Sequence, residues 1–247
     1  PIKTKLHPRL STSAKWIWST YLVLTIACIL SYYVAGMGIF DSFNYAMTTT
    51  ATGGFSTHNT STEFFHSPSL EYICTFFCFL SGVNFTLLYA AVIKFKIKEL
   101  FRNSEFRFYI FLVTVFSVFI MVELMVMRNY DIEHAFRSAI FQVVSFITTT
   151  GLFNDDAALW PHVTWVVLSM CMFIGACSGS TSGGLKCIRG VILLRMVKNE
   201  FRQILHPNAV LPLKIDGVNV PMQKRVTLLA FLTIYLIICV IISFTMI

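Results

Sequence analysis

This chain is short of charge. Asp, Glu, Lys and Arg make up 13% of its 247 residues, about half the ~25% of an ordinary soluble domain. With 56% hydrophobic residues, 15% aromatic residues and twenty-four Phe, that scarcity excludes a soluble globular domain and points to an integral membrane protein. Cysteines placed for disulfides are missing too. The seven Cys (28, 74, 78, 171, 177, 187, 239) lie in or beside apolar runs and are odd in number, which argues against a disulfide framework. Cys74 and Cys78 share a helix face, but no His or carboxylate adjoins them, so packing in a bundle outweighs a metal site. No terminal signal peptide is visible. The chain starts at Pro1 and stops inside an apolar run, which leads us to expect a piece of a longer protein.

Apolar runs long enough to cross ~30 Å of hydrocarbon need ~20 residues. They fall at 14–35, 70–93, 106–127, 160–174 (continuing, interrupted, to 197) and 226–247. The net charge of +7 is not a nucleic-acid signal, because 17 of the 19 Lys and Arg sit in residues 1–15, 94–107 and 186–225. The loops at 36–69 and 128–159 hold only Arg128 and Arg137, against six acids. Basic loops stay cytoplasmic, so the N-terminus is expected inside and the two acidic loops outside. Glu123, near the outer end of its helix, is expected to pair with Arg128 or to snorkel.

Those acidic loops carry the feature that lipid-facing helices do not need. "TTTATGGFST" (48–57) is answered some 97 positions later by "ITTTGLFNDD" (147–156). Each follows a semi-apolar segment too short to span, with Asp41 and Asp131 as candidate N-caps, where carboxylates suit the positive dipole end. The pattern reads as one unit twice, over 14–100 and 106–198: spanning helix, outer half-helix, spanning helix, basic loop. A cytoplasmic loop (199–220) and the first helix of a further unit (221–247) follow. The expected fold is all-α, with repeated helix–pore-helix–helix units of K⁺-channel-like architecture and re-entrant filter loops.

Non-helical backbone at membrane depth is tolerated only where it lines a cavity or is buried in protein. Backbone carbonyls there can replace the hydration shell of K⁺, and glycine lets the chain approach the ion closely. We therefore expect two filter strands, Thr52, Gly53, Gly54, Phe55 and Thr149, Thr150, Gly151, Leu152, with K⁺ at Thr52, Gly54, Thr150 and Gly151. The bland alternative is a pair of glycine-rich surface loops. Two occurrences in matching places favour the filter.

A second interruption, "FIGACSGSTSGGLKCIRG" (173–190), breaks the helix of the second unit. Residues 175–184 hold four Gly, three Ser and one Thr, which disfavour a regular helix. The expected gate loop comprises Gly175, Ala176, Cys177, Ser178, Gly179, Ser180, Thr181, Ser182, Gly183 and Gly184, with Lys186 just beyond. Small-residue helix contact is the alternative. Unit one has only "SGVNF" (81–85) near the equivalent place. For Lys186, contact with the loop and a snorkelling cytoplasmic anchor both stand. Enzyme readings fail. Leu185 separates Gly184 from Lys186, which spoils a phosphate-binding loop. Ser178 or Cys177 as nucleophile would need a base at membrane depth, and the six His all lie in loops or at helix ends.

"TTTATGGFST", "ITTTGLF" and "GACSGSTSGGLKCIRGVILLR", followed by "LHPNAVLPLKIDG", together resemble the Trk/Ktr/HKT superfamily of cation transporters, most of all its TrkH-type potassium-uptake subunits. That resemblance implies four helix–pore-helix–helix repeats, of which the chain carries the second, the third and the start of the fourth. Gly54 and Gly151 would be filter glycines and the 175–184 stretch an intramembrane gate. It also implies K⁺ as substrate with no covalently bound cofactor, a bacterial inner (plasma) membrane location in contact with lipid, and a homodimer of the complete protein. A cytoplasmic nucleotide-binding regulatory subunit of the RCK/TrkA type would dock on the basic side, where Arg202, His206 and Lys214 are candidates; no nucleic acid is expected. Asp216-Gly217 reads as a two-residue hairpin turn. The runner-up is a secondary transporter of a small solute coupled to Na⁺ or H⁺. The interruptions offer Thr, Ser, Gly and backbone rather than charged or aromatic ligands, and that favours a bare cation. A membrane scaffold would leave the repeated Thr-Gly motif unexplained.

Overall fold

The computed structural model describes residues 10–93, 95–156, 159–206 and 211–245. Helix α1 (Leu10–Val34) runs 25 residues without Gly or Pro, about 37 Å at 1.5 Å per residue. Leu24, Cys28 and Tyr32 form its buried stripe at four-residue spacing, while Trp18, Val23 and Leu30 stay exposed. That stripe packs on α2 (Ile39–Thr50), whose 12 residues reach only about 18 Å and so cannot span. Tyr32 Oη and Thr49 Oγ1 lie 3.0 Å apart, and Thr25 Oγ1 and Thr50 Oγ1 also 3.0 Å apart.

The expected span over 70–93 is broken. Helix α3 (Pro68–Ser81), opened by Pro at its first position, stops before Gly82, and α4 (Phe85–Val92) leaves at 107°. The cause is Asn84, whose side chain accepts from the Thr86 and Leu87 amides and so caps a new helix. The N-cap expectation also needs correcting. Gly38 occupies the N-cap of α2, and Asp41 lies inside the first turn, where it accepts from Thr57 Oγ1 at 2.7 Å. Ile39 and Phe40 start the helix earlier than the acid, which still faces the positive dipole end. Asp131 does sit at the N-cap of α7 (Ile132–Ile147), without a side-chain capping bond.

Between these lie α5 (Ile97–Arg102) and α6 (Ser104–Arg128), the latter capped by Asn103 accepting from the Glu105 and Phe106 amides. Its buried residues Phe106, Tyr109, Val113, Ser117, Ile120 and Leu124 recur every three or four positions; Phe106 and Tyr109 lie against Phe79 of α3, and α6 packs along α7. Glu123 is half-buried, and among the described residues no ion pair joins it to Arg128. Helix α8 (His162–Ile174) ends at Gly175, and α9 (Cys187–Leu205) resumes beyond the loop.

The described residues up to Cys187 pack as one unit, and those from Ile188 form a second. In the second, β1 (Lys214–Ile215) and β2 (Val218–Asn219) pair antiparallel across Asp216 and Gly217. Both turn residues have positive φ, +47° and +81°, the two-residue hairpin geometry that Asp-Gly favours. Helix α10 (Met222–Thr245) follows. Among the described residues three helices are long and apolar enough to cross a membrane, or four if the bent α3–α4 pair is one span.

Candidate functional site

Helices α2 and α7 end in the same way, 97 residues apart. The Gly53 amide donates to Thr48 O and the Thr150 amide to Ser145 O, each at 2.8 Å. One residue earlier, Thr52 donates to Thr49 O and Thr149 to Phe146 O. Such paired bonds close a helix around a left-handed residue, usually glycine. Here that residue is threonine both times, with φ +52° at Thr52 and +54° at Thr149. A β-branched residue in that region is a genuine outlier, held only because the surrounding bonds over-determine it. Two residues on, Gly54 (φ +73°) and Gly151 (φ +83°) turn the backbone again.

The two endings meet. A Cβ on Gly54 would stand 2.1 Å from Thr150 O and 3.4 Å from Gly151 Cα, so the 52–55 and 149–152 segments touch backbone to backbone. Hydroxyls at matched positions hold them: Thr48 Oγ1 accepts from the Phe55 amide at 2.8 Å, and Ser145 Oγ donates to Leu152 O at 2.5 Å. Their apolar partners differ. Phe55 is 83% exposed, whereas Leu152 is 0% exposed and packed in the core.

The 175–186 loop lies against both endings. Thr181 Oγ1 donates to Thr50 O at 3.0 Å and approaches Ser81 O at 3.3 Å. The Gly183 amide donates to Thr149 Oγ1 at 2.7 Å. Lys186 Nζ donates to Ser182 O, which favours the loop-contact reading of that lysine. The neck of the loop is pinched: a Cβ on Gly175 would stand 2.5 Å from Gly183 O, and one on Gly184 would stand 2.7 Å from Gly175 Cα. Its first half docks on the break between α3 and α4, where the Cys177 amide donates to Gly82 O and the Phe85 amide to Gly179 O.

Three groups belong to this site that the sequence reading did not single out. Glu105 is buried and accepts from the Ser178 amide at 2.5 Å and from Ser178 Oγ at 2.8 Å. Asn84 Nδ2 donates to Ser178 O at 2.5 Å. On the far side of the 149–152 segment, buried Glu71 pairs with Arg137 Nη1 at 2.6 Å and accepts from Asn154 Nδ2. Arg137 also pairs with Glu133 at 3.0 Å, and its guanidinium holds the Glu133 carboxyl below the usual carboxylate range. Among basic-loop residues Glu105 looks like one more surface charge. Only the Gly-Val-Asn sequence at 82–84 hinted at a second break. The buried cysteines are not joined in disulfides, with Cys74 Sγ 4.0 Å from Cys78 Sγ, and among the described residues no His/Cys/Asp/Glu group is arranged for a metal.

Short helices that end on strained, matched turns and press glycine backbone together against a docked loop, among helices long and apolar enough to cross a membrane, define a class: all-α integral membrane proteins. Comparison with known proteins narrows the class. The chain belongs to the TrkH family of cation transport proteins, which it matches over residues 2–247. It is 37% identical to the Trk system potassium uptake protein TrkH of Halomonas elongata, over 90% of this chain and 46% of that protein. It is 39% identical to the Trk system potassium uptake protein TrkG of Escherichia coli, over 86% of this chain and 44% of that one. The crystal structure of the potassium transporter TrkH from Vibrio parahaemolyticus superposes with a TM-score of 0.90 at 35% identity, covering 97% of this chain and 52% of that chain. The chain spans about half the length of the curated relatives it matches.

Proposed function

We propose that the complete polypeptide takes up K⁺ through a channel-like pore, with residues 52–55 and 149–152 as two of its filter strands. The observation that carries this is the contact between Gly54 and Thr150–Gly151 at the ends of two helices of matched geometry. Carbonyls in such a place can stand in for water around a monovalent cation, and the carbonyl ends of α2 and α7 favour positive charge. Thr52, Gly54, Thr150 and Gly151 supply the ligands. Leu152 O is occupied by Ser145 Oγ, so that strand works mainly through its first three residues. Residues 14–100 and 106–198 act as two repeats around one pore, and the 175–184 loop, with Lys186, acts as the gate on its path. The relatives are named as potassium uptake proteins, which supports K⁺ as the cargo.

The assembly follows from the same reading. The protein sits in the bacterial inner membrane with the described N-terminal helix starting on the cytoplasmic side, and two copies of the complete polypeptide form a dimer. A nucleotide-binding regulatory subunit docks on the cytoplasmic basic surface that includes Arg202, His206 and Lys214. The test is growth of an uptake-deficient bacterium on limiting K⁺. The complete polypeptide should restore it, and a version lacking residues 180–183 should show raised K⁺ flux. Failure to support K⁺ uptake despite membrane insertion refutes the reading.

A further inference from the structure

The two halves of the 175–186 loop are held by different chemistry. In the first half, residues 177–179 have nearly every polar backbone group engaged. The Cys177 amide meets Gly82 O at 3.0 Å, Asn84 Nδ2 meets Ser178 O at 2.5 Å, and the Phe85 amide meets Gly179 O at 3.1 Å. At the centre both oxygens of the buried Glu105 carboxylate accept from one residue, the amide and the hydroxyl of Ser178. Hydrogen bonds to an ionised acceptor are about twice as strong as neutral ones. The fit leaves no slack, since a Cβ on Gly179 would stand 3.0 Å from Asn84 Nδ2.

The second half has weaker ties to the pore. Thr181 shares one hydroxyl proton between Thr50 O and Ser81 O, and Gly183 leans on the Thr149 hydroxyl. Both are neutral contacts; the other ties of this half stay within the loop, from Lys186 Nζ and the Ala176 amide to Ser182 and from Ser180 Oγ to Cys177 O, and these break or rearrange when it moves. This half is bounded by Gly179 (φ +78°) and Gly184 (φ +76°), the left-handed glycines on either side of it, and hinge positions are often small residues.

We propose that Glu105 is the anchor of the gate: a positioning residue that fixes Ser178, so that the loop opens by swinging residues 180–183 between Gly179 and Gly184 while 177–179 stay in place. This rests on the gate reading and adds which part moves and what it moves against. Thr181 and Gly183 reach their partners beside the filter only if the stem of the loop is correctly placed. Losing the anchor therefore weakens the closed state, which makes those contacts, and leaves the open state, which does not, largely untouched.

The experiment is K⁺ flux into liposomes containing the complete polypeptide, with folding checked by monodispersity and thermal melting. Glu105→Gln exchanges one acceptor oxygen for a donor and should raise resting flux on the order of tenfold, the shift expected from losing a hydrogen bond to a charged group. Ser178→Ala should raise it by a smaller factor, because the amide bond to Glu105 survives. The double variant should match Glu105→Gln rather than multiply the two effects, as for residues sharing one interaction. Ion selectivity should not change in any of them. A lost fold support would lower flux with yield instead. If Glu105→Gln does not fold, Ser178→Ala carries the test alone, and wild-type flux in the folded variant overturns the anchor. Deletion of 180–183 separates the two ideas. If it leaves flux unchanged, the gate reading falls and the anchor with it. If it raises flux while the point variants stay at wild type, only the anchor falls.

Discussion

Gly54 and Gly151 occupy matched positions and both have positive φ, yet the structure assigns them unequal tolerance. An alanine at either place meets the left-handed penalty, about 1–2 kcal/mol. At Gly151 that is nearly the whole cost, because the nearest atom to an added Cβ, Gly54 Cα, is 3.9 Å away. At Gly54 the Cβ would lie 2.1 Å from Thr150 O, and an ordinary contact of 3.4 Å requires the carbonyl to retreat by about 1.3 Å. The obstacle is backbone of the opposite strand, fixed by the Thr150–Ser145 bond and by the Thr148–Thr150 hydroxyl contact at 2.8 Å. Overpacking of this kind adds about 1–3 kcal/mol, and it displaces one of the proposed K⁺ ligands directly. Gly54→Ala should therefore abolish K⁺/Na⁺ discrimination, whereas Gly151→Ala should reduce it while keeping a folded protein with a smaller drop in melting temperature. The assay is the K⁺/Na⁺ permeability ratio of the complete polypeptide in liposomes, paired with thermal melting in detergent. Equal effects of the two substitutions, or an intact ratio in folded Gly54→Ala, would show that the two strands do not share one ion path.

Other expectations follow from named contacts. Thr149→Val keeps the shape of the side chain but removes the acceptor for the Gly183 amide, so resting flux should rise with selectivity changed less than in Gly54→Ala. Gly82→Ala would put a Cβ 2.6 Å from Tyr109 Oη and 3.1 Å from Ala176 Cβ; it should displace the first half of the loop, read as raised flux and a lower melting temperature. Glu71→Ala strips a partner from Arg137 and Asn154. Removing one member of a buried pair costs about 3–5 kcal/mol, and the surviving Arg137–Glu133 pair should hold the loss in thermal stability to the lower end. The Glu133 carboxyl, depressed by Arg137, contributes stability above its unfolded-state pKa and loses it as pH falls through the lower folded value. The exposed site keeps that contribution small, so the melting temperatures of wild type and Glu133→Gln should converge on acidification.

How much of this was readable in the sequence depends on the range of the interaction. Periodicity, length and charge asymmetry are local, and they gave the long helices, the short helices α2 and α7 and the Asp216-Gly217 turn. The Thr-Gly pair was legible because a backbone conformation that recurs needs the same residue types twice. Phe55 and Leu152 were grouped on that ground, and the structure separates them: one side chain is exposed and the other is in the core. The break at Gly82 was under-read because a span is identified by summed hydropathy, and three residues barely change the sum over 70–93. What decides that break is the Asn84 cap and a carbonyl at Gly82 that the loop ninety-five residues later requires as an acceptor.

Glu105 marks the limit more sharply. In sequence it follows "KELFRNS" and looks like part of a solvated, mixed-charge turn, where a carboxylate costs nothing. Its burial is met by Ser178, which supplies two donors from a segment seventy-three residues away. A buried carboxylate without such donors would be strongly unfavourable, so the two residues depend on each other in a way no local window contains. The same logic explains why the loop, read correctly as irregular from its composition, did not disclose which end is fixed. Composition measures the freedom of the unbound chain, whereas the fixed end is set by the acceptors that the rest of the fold brings to it.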